Sequence, residues 1–318
     1  MTLKYDVTAL GEALIDFVAV DKSESGAALF EQNPGGAPLN VLAAIDRLCG
    51  STAFIGKVGD DLQGRFIRDV MENLAIETKG LVLDPDYTTT MTFVSLDDDG
   101  ERHFSFARKP GADTQLKKEE VDFDLIRNSK IFHFGSLSLT DEPAREATLC
   151  AVDEARKAGV LVSYDPNYRA PLWPDVETAK AQIRMPVPKV DIMKISEEEC
   201  ELLTDKKRPE DAAEVLLSQG VRCVFVTLGA DGAMVKTKDF SAFAPAMNVY
   251  AVDTTGAGDA FWGAILYQIA NQGLDSLNPD NSKRILRFAN IVGGLCVEKR
   301  GGVSSMPSIT DIQDVLGW

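Results

Sequence analysis

Short apolar runs alternate with longer amphipathic segments along most of the chain. Continuous apolar runs, such as residues 131–135 and 223–228, are typical of strands that are buried on both faces of a parallel sheet. Between such runs lie segments with apolar residues at helical spacing, such as residues 61–73. This alternation predicts a doubly wound α/β fold, in which a mostly parallel sheet is flanked by helices.

The same patterns predict the other regular elements of the chain. We expect strands at residues 7–13, 51–58, 160–164, 190–194 and 233–237, and helices at residues 41–48, 143–158, 210–219, 258–271 and 282–298. No internal repeat, low-complexity segment or linker interrupts this order, so residues 1–318 are expected to form a single domain.

One pair of strand-like stretches departs from the parallel pattern. Residues 88–96 and 102–106 flank the turn-forming residues 97–100, and this arrangement predicts an antiparallel hairpin. We assign the hairpin, together with the segment after Leu14, to a small β-sheet lid built from about residues 14–34 and 88–110.

Strand alternation places Phe104, Phe106 and Arg108 on one face of this lid. Two interpretations of that face stay open and are compatible. The face can close over a substrate and exclude water from a reaction, or its aromatic residues can pack against the parent domain or a second subunit. An exposed sheet commonly needs covering, so a homodimer joined through the lids is a further hypothesis.

Charge limits the classes of partner. The net charge of −16 and the pI near 4.6 argue against non-specific nucleic-acid binding and against binding to an anionic membrane surface, since both need positive potential. Glu12 and Asp16 interrupt the first apolar run, so no signal peptide is expected, and no later stretch is long and apolar enough for a membrane span.

Cysteine and histidine usage excludes two kinds of chemistry. The five cysteines are odd in number and show no C-x-x-C spacing, which is typical of reduced thiols in the cytoplasm. The two histidines, His103 and His133, leave little for a histidine metal site or a Ser-His-Asp triad. His133 lies in an apolar strand and is expected to be a core residue.

The candidate chemistry centres on residues 252–261, where a polar stretch passes two glycines and becomes an apolar helix. Gly256 and Gly258 allow the backbone to bring N–H groups close to an anion at a helix N-terminus. Asp259 then lies in the first helical turn, ready to take a proton beside a bound phosphate. For the two glycines alone an ordinary turn is the favoured explanation, and an aspartate at a helix start is a common cap.

Two familiar nucleotide motifs are absent from this stretch. A dinucleotide fingerprint needs a third glycine where Phe261 stands, and a P-loop needs Lys followed by Ser or Thr where Asp259 and Ala260 stand. The anion site is therefore of another kind, and its pairing with a carboxylate suggests phosphoryl transfer to a hydroxyl.

Other polar residues follow predicted strands, at the edge where ligands bind in open α/β sheets. Asp16 is expected at or just beyond the end of the first strand, and Asn40 follows the adjacent glycines Gly35 and Gly36. An amide one turn into a helix suits the binding of hydroxyls. For Asp16 alone, a solvated strand-end acid is an equally good explanation.

Three later strand ends carry further candidates. Asp165 and Arg169 follow one strand, where Arg169 could bind phosphate oxygens or form a structural pair with Asp165. Glu199 follows the next strand and could hold Mg²⁺ through water, since Mg²⁺ usually keeps several waters. Gly229 and Gly232 follow a third strand, where they accept a nucleotide or simply form a hairpin turn.

These motifs together resemble the ribokinase-like (PfkB) sugar kinases over nearly the whole chain. The resemblance rests on Gly35 and Gly36 with Asn40, on residues 253–259 and on the order of elements. Four further stretches look most like fructokinases, namely residues 11–17, 34–38, 165–174 and 196–199.

The resemblance implies ATP, Mg²⁺ and a ketohexose, with Asp259 as the base that deprotonates a primary hydroxyl. It implies an anion hole formed by the backbone of Gly256, Ala257 and Gly258. The sugar-binding positions that it implies are Asp16, Gly35, Gly36, Asn40, Phe106, Arg108, Arg169 and Asp259. The nucleotide-lining positions that it implies are Asn167, Arg169, Thr227, Gly229, Gly232, Asn290, Gly256 and Gly258.

The resemblance also implies two metal sites. Glu199 matches the magnesium motif of the family, although Ser196 replaces its usual asparagine. Family members often bind a monovalent cation such as K⁺ near the anion hole, and the matching positions here are Asp253, Thr255, Cys296, Lys299, Gly301 and Ser305.

Three functions remain in competition. The leading hypothesis is an ATP-dependent fructokinase that makes fructose 6-phosphate. The same fold could instead phosphorylate 2-keto-3-deoxygluconate, whose carboxylate Arg108 and Arg169 could attract, or ribose or a nucleoside. A non-catalytic sugar- or nucleotide-binding regulator is the third, and it gives no reason for an intact Asp259.

Overall fold

The computed structural model describes residues 3–96 and 102–316, and within them the alternating pattern forms regular strands and helices. The strands are β1 (Tyr5–Leu10), β2 (Leu14–Lys22), β3 (Ala28–Gly35), β4 (Thr52–Gly59), β5 (Glu77–Asp84), β6 (Met91–Leu96), β7 (Arg102–Ala107), β8 (Ser129–Gly135), β9 (Leu161–Asp165), β10 (Ile192–Ser196), β11 (Cys223–Thr227), β12 (Ala233–Thr237) and β13 (Ser241–Ala244).

The helices lie between these strands and at the end of the chain. They are α1 (Ala37–Arg47), α2 (Leu62–Asn73), α3 (Phe123–Arg127), α4 (Ala144–Ala158), α5 (Val176–Arg184), α6 (Glu199–Thr204), α7 (Pro209–Ser218), α8 (Ala257–Gln272), α9 (Pro279–Val297) and α10 (Ile309–Leu316).

The large sheet is mostly parallel, as the pattern predicts. Its strand order is β13-β12-β11-β10-β9-β8-β1-β4-β5, and only the pairs formed by β12 are antiparallel. From β1 the chain builds one half of the sheet through β4 and β5, and it then returns to β8 to build the other half. The reversal leaves a crevice at the carboxyl ends of the strands, where ligands bind in such folds.

Apolar side chains cover both faces of this sheet. On β8, Ile131 packs into the core on one face and Phe132 into the core on the other, as expected for a strand between two layers of helices. His133 is buried, and its Nδ1 lies 2.9 Å from Ser163 Oγ. Burial lowers the pKa of His133 to about 3, so the expected core role of this histidine is confirmed.

The lid is a separate sheet of order β3-β2-β6-β7. Strands β6 and β7 pair antiparallel, which confirms the predicted hairpin, and β2 pairs parallel with β6. The turn at residues 97–101 and the side chain of Phe104 lie outside the described part of the chain. Strand β2 brings Asp16 opposite Thr92 and Phe17 opposite Phe93, so the two faces of the lid differ in chemistry.

The position expected for Asp16 was wrong in one respect. The first strand ends at Leu10, and Asp16 is the third residue of β2, inside the lid rather than at the end of a strand of the large sheet. The pattern hides this break because β1 and the start of β2 are both apolar and buried, and residues 11–13 between them are buried as well.

The pattern also missed several short or marginal elements. Strand β5 is at the edge of the sheet and largely half-buried, so polar residues interrupt its apolar run. Helix α5 buries only Ala179 and Ile183, which is too few apolar positions to show a helical period. Within the described residues, no helix is both long and apolar enough to cross a membrane.

Candidate active site

A cavity of about 530 Å³ lies where the lid faces the carboxyl ends of the central strands. Two helix N-termini, those of α1 and α8, reach its wall. The cavity brings together residues that are far apart in the chain, and its lining includes Glu12, Asp16, Gly36, Asn40, Phe106, Asn167, Arg169, Lys194, Thr227, Gly256, Gly258 and Asp259.

The N-terminus of α8 forms the floor of this cavity. Gly256 precedes the helix with a φ of 78°, a left-handed conformation that favours glycine. No side chain caps the helix, so backbone N–H groups are left for a ligand. An uncapped N-terminus of a 16-residue helix, open to a cavity, is suited to bind an anion.

Asp259 lies in the first turn of α8 and is 7% exposed. Its Oδ2 accepts a hydrogen bond of 2.8 Å from Asn40 Nδ2, and its Oδ1 accepts one of 3.3 Å from Asn167 Nδ2. Burial raises the pKa of Asp259, while the Asn40 hydrogen bond and the charge of Lys194 act in the opposite direction. The carboxyl group is therefore held in place by two amides and is suited to exchange a proton.

Helix α1 delivers Asn40 to this carboxylate. The helix begins after Gly36, whose φ is 108°, and a side chain at this position would collide with the Glu12 carbonyl oxygen. At Gly35, a β-carbon would lie 2.7 Å from Asp16 Oδ2. Because both residues lack a side chain, the backbone at the start of α1 can approach the Asp16 carboxylate and the Glu12 carbonyl closely.

Asp16 reaches the cavity from the lid. Burial raises the pKa of its carboxyl group to about 6, and the charge of Arg169 opposes that shift. Phe106 of β7 also lines the cavity, so the inner face of the lid supplies one acid and one aromatic ring. The sequence predictions for Asp16, Asn40, Phe106 and Asp259 therefore converge on one site.

Arg108 does not share that position, which corrects the expectation that it faces the cavity beside Phe106. It follows the last residue of β7, and its Nε and Nη2 lie 2.8 and 2.7 Å from Asp113 Oδ2. Nη2 also donates to the Leu137 carbonyl at 2.9 Å. The guanidinium is buried in this ion pair at the base of the lid because Asp113 neutralises it there.

The predicted nucleotide positions divide into two groups. Asn167, with a φ of 47°, lines the cavity together with Arg169 and Thr227, while Gly229 and Gly232 form the nearby turn between β11 and β12. Asn290 does not line this cavity, so its expected contact with a nucleotide stays a prediction. It is buried, and its Nδ2 donates to the carbonyls of residues 244 and 245 at 3.0 and 2.8 Å.

Glu199 is buried beside the cavity and bound to the backbone. Its Oε1 accepts from Tyr168 N at 2.7 Å and its Oε2 accepts from Ser196 N at 2.9 Å. Burial raises the pKa of Glu199, and the neighbouring Asp165 adds to this effect. Among the described residues, no group of three or more histidine, cysteine, aspartate or glutamate side chains is arranged to hold a metal ion.

Most of the predicted monovalent-cation positions do come together. Asp253 accepts hydrogen bonds from Thr255 N at 2.8 Å and Gly301 N at 3.1 Å, and Cys296 Sγ lies 3.0 Å from Ser305 Oγ. The side chain of Lys299 points elsewhere, since its Nζ lies 3.9 Å from Asp311 Oδ2. The loop around Gly301 therefore closes beside the N-terminus of α8.

Lys194 is a site residue that the sequence reasoning missed. It is 6% exposed, lines the cavity, and its Nζ lies 2.7 Å from Asp165 Oδ2. The Asp165–Arg169 pair considered from sequence is replaced by this one, while Arg169 is exposed and donates to the Tyr168 carbonyl. One feature of the sequence could have indicated Lys194, because it is a charged residue inside the strand predicted at residues 190–194. Glu12 was also missed as a lining residue.

Comparisons with known proteins agree with this geometry. The pfkB family carbohydrate kinase profile matches residues 4–309, and the chain belongs to that family of carbohydrate kinases. It is 42% identical over 308 residues to a probable fructokinase-2 of Arabidopsis thaliana, covering 95% of this chain and 93% of that protein.

Solved structures give the same picture. The fructokinase of Xylella fastidiosa with bound ATP superposes with a TM-score of 0.91 at 32% identity and 98% coverage of both chains. A double mutant of the fructokinase of Vibrio cholerae O395, bound to fructose, ADP and potassium, gives 0.88 at 31% identity and 99% coverage of both chains. The ribokinase-like α/β fold expected from the sequence is confirmed.

The Lys194–Asp165 pair generates a stability prediction. Lys194→Met leaves the Asp165 carboxylate buried without its cation, so we expect the free energy of unfolding to fall by about 3–5 kcal/mol. Asp165→Asn combined with Lys194→Met should recover most of that loss. The control is Lys236→Met on the partly exposed pair with Glu214, where the loss should stay below about 1 kcal/mol. Urea unfolding measures all three, and a loss for Lys194→Met no larger than for the control would contradict the pairing.

Proposed function

We propose that this protein transfers the terminal phosphoryl group of ATP to the primary hydroxyl of fructose, which gives fructose 6-phosphate. The observation that carries the proposal is a buried carboxylate, Asp259, at the uncapped N-terminus of α8, in one cavity with Asp16 and Asn40. The fructokinase names of the relatives and the fructose bound by a structural neighbour support the choice of acceptor.

Asp259 is suited to act as the general base. Its two oxygens are held by Asn40 and Asn167, and each oxygen keeps a lone pair for the proton of a hydroxyl. The backbone N–H groups at Gly256, Ala257 and Gly258 are suited to stabilise the negative charge on the phosphoryl oxygens. Phosphoryl transfer depends mainly on such positioning and charge stabilisation.

The charges of the cavity favour a neutral acceptor. Three carboxyl groups line it, those of Glu12, Asp16 and Asp259. Of the two cations in the lining, Lys194 is paired with Asp165, and Arg169 lies at the exposed edge. Arg108, which could have attracted the carboxylate of 2-keto-3-deoxygluconate, is neutralised by Asp113. A polyol with several hydroxyls fits this surface better than an acid does, since like charges repel and hydroxyls can donate to carboxylates.

Mg²⁺ is proposed to arrive with ATP rather than to reside in a protein cage. Its preference for waters and phosphate oxygens fits a site whose nearby acid, Glu199, is bound to the backbone through both oxygens. When bound, Mg²⁺ neutralises charge on the phosphates. The oxygens of Asp253 and Thr255 before α8, together with Ser305 after α9, fit a monovalent cation, and the potassium bound by a structural neighbour supports K⁺ there.

A comparison of acceptors tests this function. With ATP and Mg²⁺, we expect fructose to give a kcat/KM for ADP formation at least about tenfold above ribose and 2-keto-3-deoxygluconate, because discrimination follows from the hydroxyls that a site can bind. A preference for 2-keto-3-deoxygluconate would overturn the charge argument. ATP binding without turnover on any sugar would favour the non-catalytic regulator.

The role of Asp259 gives a separate prediction. Asp259→Asn keeps the shape of the side chain but removes the proton acceptor, so kcat with fructose should fall by about 10²- to 10⁴-fold. The matched control is Asp275→Asn, an exposed acid far from the cavity, which should keep full turnover. Near-normal kcat in a folded Asp259→Asn variant, checked by circular dichroism, would show that another group is the base.

We also propose that the protein forms a homodimer through the outer face of its lid. There Phe17 and Phe93 stack at 5.3 Å, Phe30 meets Phe93 edge-on at 6.1 Å, and we name these three residues the outer lid cluster. Phe30 and Phe93 remain 44% and 40% exposed. The other face of this sheet lines the cavity. Adjacent aromatic rings exposed on the outer face are typical of a surface that a partner covers.

Solution mass tests this interface. We expect light scattering to give twice the chain mass of 34.5 kDa, and Phe93→Asp to reduce the mass to that of one chain. Phe243→Asp is the control, since Phe243 is 49% exposed on β13 of the other sheet. A wild-type mass of one chain, or a dimer that survives Phe93→Asp, would contradict an interface at the outer lid cluster.

A further inference from the structure

Glu12 is a buried acid of the cavity wall to which the proposed reaction gives no role. It lies between β1 and β2 and is 2% exposed. Its Oε1 accepts a hydrogen bond of 2.9 Å from Ala37 N, and its Oε2 has no hydrogen-bond partner among the described residues. Burial raises the pKa of Glu12 to about 7, nearby Asp113 adds to this and Arg108 opposes it. A carboxyl group at this position is costly, so the contact that it makes needs an explanation.

The contact with Ala37 is a helix cap supplied from outside the helix. Helices are often capped by the side chain of the residue before the first turn, but Gly36 has no side chain. That residue must remain glycine, because its φ is 108° and the Glu12 carbonyl fills the space of a β-carbon. The Glu12 carbonyl thus prevents residue 36 from carrying a capping side chain, and the Glu12 carboxylate caps the helix instead.

The cap lies one helical turn from Asn40, which contacts the proposed base. Asn40 N donates to Gly36 O at 2.9 Å, and Asn40 Nδ2 donates to Asp259 Oδ2 at 2.8 Å. Any shift at the start of α1 is carried to Asn40, because the first turn is rigid once its hydrogen bonds form. Asn40 Oδ1 has no partner among the described residues, so the contact with Asp259 depends on where the helix places it.

We propose that Glu12 is a positioning residue for Asp259, which it holds in the reactive orientation by fixing the N-terminus of α1 and thereby Asn40. This inference rests on the proposed function of Asp259 as the base. It assigns no contact between Glu12 and the sugar or the nucleotide. The carboxylate acts through Ala37 and Asn40, and its ionised form gives the stronger cap because charged acceptors bind backbone N–H groups more tightly.

Two substitutions separate this role from simple stabilisation. Glu12→Met keeps the volume but removes the acceptor, and we expect kcat with fructose to fall by about 10- to 100-fold, since small displacements of a reacting group are costly. The KM for ATP should stay within about twofold. Glu12→Gln keeps an oxygen for Ala37 N and should restore kcat to within about threefold of the wild type.

The matched control is another helix cap, at a distance from the cavity. Asn278 caps α9 by accepting from Asp280 N and Asn281 N at 3.1 and 3.0 Å. Asn278→Leu should lower the melting temperature as Glu12→Met does, yet leave kcat within about twofold of the wild type. A purely structural role for Glu12 predicts instead that Glu12→Met, like the control, changes stability alone.

Three results would overturn the proposal. These are a folded Glu12→Met variant with kcat within about twofold of the wild type, a Glu12→Gln variant as slow as Glu12→Met, and a rise in the KM for fructose with unchanged kcat. The last result would make Glu12 a direct sugar contact. Failure of the proposed function is read separately, from wild-type protein that forms no ADP with fructose.

Discussion

The burial of one carboxylate is the constraint on which the site depends. Asp259 is 7% exposed, and a carboxyl group buried without partners would lose its charge. Its partners come from separate elements: Asn40 from α1, Asn167 from the loop after β9, and the charge of Lys194 from β10. The helices and strands that carry these groups must therefore be fixed relative to α8 before Asp259 can be a base.

The partners of Asp259 are brought together where the strand order of the large sheet reverses, between β1 and β8. Strands β1 and β8 are neighbours, but the chain leaves β1 toward β4 and leaves β8 toward β9. The crevice between these connections is filled by the N-termini of α1 and α8 and is covered by the lid. Both lid segments leave the large domain at this crevice, where Glu12 precedes β2 and Arg108 follows β7. The same place thus holds Asp259 and the point where the lid joins the large sheet.

The sequence predicted most of the elements and the local grouping of candidate residues, but not the pairing of charges. The glycines near residue 256 and the acid at residue 259 could be singled out because they are close together in the chain. The partner of Asp165 was missed, because Lys194 is 29 residues away and Arg169 is four residues away. Arg108 was misplaced for a related reason: strand alternation fixes a face only within a strand, and β7 ends at Ala107.

These ion pairs also determine the charge that a ligand meets. Arg108 and Lys194 each form an ion pair shorter than 3 Å, Arg108 with Asp113 and Lys194 with Asp165. Neither cation therefore presents a full positive charge to the acceptor. Asp16 and Glu12 remain without such a partner among the described residues, and burial raises the pKa of both. If the protein has the proposed function, such a wall favours hydroxyl donors over acids, and Arg169 lies at the exposed edge, where it can face phosphate. The division between a neutral acceptor and an anionic donor would then follow from which acids the buried cations bind.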